Sequence, residues 1–171
     1  MEGMGNREKR EWGGGGGELG WFGNQRPFVR FLSLTLDEVF QWSRSFNELM
    51  STKYGPVFYG AYLKTEHGDE NFQFWMACET YKKISSRKRR LSKARKLYKI
   101  YIRPKSPREI NIDSPTRKAI DQNIHEPTEA CFDEAQKIVC LHMERDSYPR
   151  FLKSEIYQKL FRSLQADGFR E

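Results

Sequence analysis

Metal ligation, nucleophilic attack and proton transfer each need partner side chains at short range, and the candidates here stand alone. His67, His125 and His142 are far apart, with no HExxH and no CxxC pair, so no metal site is expected. Cys78, Cys131 and Cys140 each sit in an apolar run without a local activating base. They read as reduced core thiols, neither nucleophiles nor a disulfide framework. Paired acids such as Asp133-Glu134 look like a solvated helix face. The glycine run Gly13 to Gly17 is followed by no Gly-Lys-Ser/Thr and is not a phosphate-binding loop. Neither an enzyme active site nor a cofactor is expected from this set.

Three polar clusters remain. Glu66 to Lys82 reads EHGDENFQFWMACETYK, an acidic knuckle run directly into aromatics, with Asn71 as a mediocre helix former in the first turn. Glu109-Ile-Asn111-Ile-Asp113-Ser114 alternates polar and apolar residues through an interhelical connection. Asp146-Ser147-Tyr-Pro-Arg150 packs a cap, a kink and an arginine into another. Taken singly, each reads as local capping. Three such connections in one helical domain can converge on one end and form a polar recognition face.

The elements that must position them are helical. Thr35-Leu-Asp-Glu38 and Ser45-Phe-Asn-Glu48 both have the capping-box pattern, with Phe40, Phe46 and Leu49 as apolar faces of a short helix pair. Gly55-Pro56 marks a turn, and Val57, Phe58, Ala61 and Tyr62 follow as the buried side of a third helix. Gly68 or Asp69 can cap the fourth, whose apolar residues cover most of its circumference, as in a central buried helix. A basic helix from about Leu91 to Ile102 is ended by Pro104 and Pro107. Asp113-Ser114-Pro115 is a strong helix start. Pro127-Thr128 opens another helix carrying Phe132, Ala135, Val139 and Met143, and Asp146-Ser147 and Ser154 cap two final short ones. No period-2 strand pattern and no Asn-Gly hairpin appears, so the fold class is all-α.

The chain has 171 residues, and nine of its 13 glycines fall in the first 23. Residues 1–32 therefore read as a disordered glycine-rich extension, 33–164 as the folded domain and 165–171 as a flexible tail. No apolar run is long enough for a transmembrane helix, and neither a secretory signal nor an N-myristoylation motif is seen. Charge is uneven. Lys82 to Arg108 holds 13 Lys/Arg and no acid, and subtracting those 13 from the total of +7 leaves −6 for the rest. Such a field orients a molecule at an anionic surface. The run Arg87 to Lys96 also fits a nuclear signal or nucleic-acid patch, the rival to a membrane-facing sector.

Five long segments carry a family resemblance: SFNELMSTKYG (45–55), FYGAYLKTEHGDENFQFWMACETYKK (58–83), SPREINIDSPTR (106–117), EPTEACFDEAQKIV (126–139) and MERDSYPRFLKSEIY (143–157). The chain resembles the regulator of G-protein signalling family over about Thr35 to Leu164, in particular its small, essentially single-domain members. The resemblance implies about nine helices, a four-helix bundle plus a subdomain made from the terminal helices. It implies a GTPase-activating protein for Gα subunits in their GTP or transition-state form, of the inhibitory and Gq classes, with no active site of its own. The implied contacts are Glu66, His67, Gly68, Glu70 and Asn71 in the first connection, and Glu109, Asn111, Asp113, Ser114 and Arg117 in the second. His142, Asp146, Ser147 and Arg150 make the third. Asn111 is expected nearest the catalytic glutamine of Gα. Asp146 is expected to accept from a switch backbone, with Arg150 holding it in place. Two residues depart from the family pattern: Gly68 stands where many relatives carry Ser, and His142 replaces a commoner apolar residue. Cys78 aligns with an acylation site of some relatives, against its reading as a core thiol. A cytoplasmic monomer at the plasma membrane, also able to enter the nucleus, is the expected form; no nucleic acid is expected as partner. A fold that only scaffolds Gα is the remaining alternative.

Overall fold

The structure, a computed structural model, describes residues 33–168. The expectation for residues 1–32 lies outside the described residues. Among those described there is no strand. Helices α1 (Leu36–Gln41), α2 (Phe46–Ser51) and α3 (Gly55–Thr65) are followed by α4 (Glu70–Lys82) and α5 (Arg87–Leu97). Then come α6 (Ser114–Asn123), α7 (Asp133–His142), α8 (Tyr148–Lys153) and α9 (Glu155–Gly168). Two wide π-type turns, Tyr98–Ile102 and Met143–Ser147, extend α5 and α7. The last helix runs through residues 165–168, past the boundary expected at Leu164.

The helices sort into two packed groups. α4, α5, α6 and α7 form the bundle, with Phe74, Tyr81, Leu97, Ile102, Ile120, Phe132 and Val139 in its core. The chain's terminal helices, α1 to α3 with α8 and α9, pack together as the second group. Its interior is aromatic: Tyr59 meets Phe46, Phe72 and Phe151 edge-on at ring separations of 5.5–5.8 Å. Edge-to-face pairs of this kind add to the burial energy of the rings.

The local signals act as their chemistry dictates in several places. Thr35 and Glu38 make both halves of the capping box, at 3.2 and 3.3 Å. At Ser45 only the forward half forms, from Glu48 N–H to Ser45 Oγ at 3.0 Å. Asp113 caps α6, with Pro115 in its first turn, and Ser154 accepts from Tyr157 N–H at 3.3 Å. Gly55 is required by space, since a Cβ there would lie 2.0 Å from the Leu49 carbonyl oxygen.

Elsewhere tertiary structure overrides the local reading. Phe40 and Val57 are exposed, and the buried positions are Val39, Trp42 and Tyr59. Arg44 lies over the Phe40 ring instead, 5.5 Å from its centre. The basic helix begins at Arg87, with Ser86 as its cap, rather than near Leu91. Pro127-Thr128 does not start a helix. Residues 125–132 hold two turns separated by an irregular stretch at 126–128, closed by bonds such as Cys131 N–H to the Thr128 carbonyl at 3.2 Å. That carbonyl also accepts from Tyr81 OH at 2.7 Å, and α7 starts only at Asp133. Asp146-Ser147 is no cap either. The helix passes through it as a π turn, and Ser147 makes no side-chain cap bond to α8.

Candidate functional site

The three polar connections meet at one end of the domain around a cleft of about 470 Å³. It is lined by Glu66 and Gly68 from the end of α3, Glu70 and Asn71 from the first turn of α4, and Asn111 from the α5–α6 connection. His142, Asp146, Ser147 and Arg150 come from the α7–α8 rod. The geometry also includes Leu63, Met143 and Arg145, which the sequence reading did not assign to the site. Leu63 and Met143 are the apolar floor and looked like plain core positions. Arg145 stands beside Asp146, and its charge next to that acid was the one signal available.

The first connection closes α3 by a Schellman-type turn. Gly68 N–H donates to the Leu63 carbonyl and His67 N–H to the Lys64 carbonyl, both at 3.2 Å. The residue in the left-handed conformation is His67, with φ 55°, and not the neighbouring glycine. Space around Gly68 is open: a Cβ there would have only the Glu66 carbonyl oxygen within range, at 3.9 Å. His67 itself does not line the cleft.

Glu66 is the hub of the site. Arg150 Nη2 donates to one of its carboxylate oxygens at 2.9 Å and Tyr62 OH to the other at 2.5 Å. Arg150 also donates to Asp146 one turn earlier. The Arg150 guanidinium and then the Tyr62 hydroxyl hold the Glu66 carboxyl below the usual range. Burial, and then the Glu66 carboxylate, push the Tyr62 phenol up to about 12. The resemblance's expectation that Arg150 fixes Asp146 corresponds to this geometry, with Glu66 as a further anchor.

Ser147 is 8 % exposed, and its hydroxyl lies 2.5 Å from Tyr59 OH and 3.4 Å from the Met143 carbonyl. Its polar group is spent inside the domain, supporting the wall of the cleft. Glu109 and Arg117 are likewise engaged with each other, at 3.0 Å. Arg117 Nε donates to the Ile102 carbonyl, and Glu109 accepts from Lys105 N–H, both at 2.9 Å. Asp113 is taken up in capping Thr116, whose backbone N–H and hydroxyl lower its carboxyl. Glu109, Asp113, Ser114 and Arg117 do not line the cleft; they shape the connection that presents Asn111 between buried Ile110 and Ile112.

Cys78 is 1 % exposed in the bundle core, and burial pushes its thiol up. A thiolate is not populated there, so acylation would require α4 to leave its packing. Among the described residues no cluster of His, Cys, Asp and Glu could hold a metal ion, and no helix is long and apolar enough to cross a membrane.

Comparison with known proteins accounts for this arrangement. The family model described as "Regulator of G protein signaling domain" matches residues 45–160. The chain is 72 % identical over 136 residues to regulator of G-protein signaling 13 of Homo sapiens, covering 80 % of this chain and 86 % of that one. It is 67 % identical to the Mus musculus protein of the same name, with the same coverage. Regulator of G-protein signaling 8 of Danio rerio is 48 % identical over 141 residues, 82 % of this chain and 81 % of its own. An all-α fold with this cleft, matched over most of its length, makes the chain a member of the regulator of G protein signaling family.

Proposed function

We propose that the cleft is the Gα-gripping face through which this G-protein signalling regulator accelerates GTP hydrolysis. The observation that carries the reading is the convergence of Asn71, Asn111 and Asp146 on one cleft, cross-braced by Arg150 and Glu66. Those groups are two amides and two carboxylates, the carboxylates fixed by Arg150, with no nucleophile and no general base activated among them. They suit the backbone and side chains of a mobile partner segment. Gα carries its own arginine and water-orienting glutamine, so an activator need only hold the switch segments in their transition-state arrangement. Interactions stronger in that state than in the ground state lower the barrier directly. Each tenfold in rate asks for about 1.4 kcal/mol, within reach of a few well-placed hydrogen bonds.

The test is single-turnover GTP hydrolysis against a panel of Gα subunits, the inhibitory and Gq classes first. Asn111→Ala should cut the acceleration at least tenfold with unchanged melting, since Asn111 is exposed and makes no contact the fold needs. An unaltered rate removes Asn111 from the site. Equal binding to Gα·GDP with and without a γ-phosphate transition-state mimic would sink the mechanism.

Membrane attachment is the second part of the proposal. Arg87, Lys88, Arg89 and Arg90 occupy the first turn of α5, the positive end of its dipole, where cations are unfavourable. Among the described residues Lys88, Arg89, Lys93, Arg95, Lys96 and Lys99 have no acidic partner. A helix that carries this cost fits a polyanionic surface that relieves it. The inner leaflet is the preferred surface, at a cytoplasmic address. Vesicles with and without anionic lipid should separate binding from none, and activation in solution should survive charge neutralisation at Arg87 to Arg90. Tight, steeply salt-dependent binding to nucleic acid would favour the nuclear alternative.

A further inference from the structure

Asp69 stands at the N-cap of α4, yet its carboxylate makes no cap hydrogen bond. It accepts instead from Arg108 Nη2 at 2.6 Å and from Gln73 Nε2 at 3.3 Å, and its side chain is only 17 % exposed. An aspartate at this position ordinarily satisfies an amide of the first turn. Here that local bond is given up for one that reaches 39 residues along the chain, into the second connection.

The second connection is otherwise fastened from its inner side. Ile110 and Ile112 are buried in the bundle, and Arg108 N–H and Ile110 N–H donate to the Ile100 and Tyr101 carbonyls, both at 3.0 Å. Asn111, between the two isoleucines, is exposed. Nothing in that inner fastening ties the Asn111 side of the connection to the start of α4, where Asn71 sits. The Arg108–Asp69 bridge does. It is the counterpart of the Arg150–Glu66 bridge, which ties the third connection to the first. The first connection thus anchors both of the others through an arginine–carboxylate contact.

We propose that Asp69 and Arg108 are a positioning pair for GTPase activation, their bridge setting the separation of Asn71 from Asn111. Neither residue lines the cleft. The inference rests on the reading of that cleft as the Gα-gripping face. It also gives Arg108 a role apart from the unpartnered cations of α5, although it ends the same basic sector.

The experiment uses the full chain in single-turnover GTP hydrolysis, with Asn111→Ala as reference. Asp69→Ala and Arg108→Ala should each lower the acceleration about fivefold at saturating activator, with melting within about 3 °C of the parent. The double variant should be no worse than either single one. The exchange D69R/R108D should restore part of the loss: no cap bond is sacrificed by changing Asp69, but an arginine there opposes the dipole of α4. Unchanged rates in both single variants overturn the pair. So do losses that multiply in the double variant, an exchange that restores nothing, or melting lowered in proportion to activity. A loss in Asn111→Ala with none in Arg108→Ala defeats only the pair; no loss in Asn111→Ala defeats the cleft reading and the pair with it.

Discussion

Ser147 offers a sharp division between contact and support. Its hydroxyl can donate to the Met143 carbonyl while accepting from Tyr59 OH, and Tyr59 is fully buried among aromatic rings. Burial pushes the Tyr59 phenol up, so it stays a neutral donor across the working pH range. Ser147→Ala leaves that donor with no partner, and an orphaned buried hydroxyl costs roughly 1–3 kcal/mol, here about 2. Tyr59→Phe removes the donor and leaves Ser147 its carbonyl, so the loss is nearer about 1 kcal/mol. The double variant replaces both groups and orphans neither, so it should be more stable than the sum of the singles by about 1 kcal/mol or more. For a domain of this size that is a fall in Tm of about 8 °C for Ser147→Ala and about 4 °C for Tyr59→Phe. Thermal and urea denaturation of the four proteins measure all three quantities. With the folded fraction matched, GTPase activation by Ser147→Ala should stay within a factor of about two of the parent. A variant that melts normally but activates poorly would show that Ser147 touches Gα, and the support argument would be refuted.

His67→Gly should raise the Tm by about 2 °C, because relief of the left-handed strain outweighs the added unfolded-state entropy by about 0.5 kcal/mol. A lower Tm would mean that the His67 side chain makes a compensating contact. Glu66→Gln tests the hub by pH. The folded pKa of Glu66 is depressed, so its contribution is present above the ordinary carboxylate value of about 4.3 and is lost as pH falls through the folded value. After allowance for solvent screening the parent should exceed the variant by about 1 kcal/mol at pH 7. The two should converge once pH has fallen below the depressed folded value, and an advantage that is independent of pH would remove the Arg150 bridge as its source. The Asn111→Ala and Arg108→Ala assays complete the set.

Legibility in the sequence followed the range of the interaction. The Thr35 box, the Asp113 cap and the Gly55 turn are decided within a few residues, and each was readable. The local pattern offers Gly68 or Asp69 as a cap for α4; Asp69 holds the N-cap position, but its carboxylate goes to Arg108, far along the chain. The start of α7 was misplaced for the same reason, since Tyr81 claims the Thr128 carbonyl from another helix. Composition could say that three polar connections exist. That they share one cleft required the family resemblance, and that Glu109, Arg117 and Ser147 spend their polar groups internally required the structure.

The turn at Met143–Ser147 is where the α7 rod changes its rotational phase. A π turn carries one residue more than an α turn, so everything beyond it is rotated by about 100° relative to an unbroken helix. Across this turn Met143 and Ser147 face inward, while Asp146 and Arg150, four residues apart, share the outer face. Deleting one residue here would let the rod relax to a regular helix and would swing Arg150 away from Glu66, leaving every cleft residue present but out of phase. The composition of the cleft and its angular setting are thus separable properties, and the second is held by a single surplus residue.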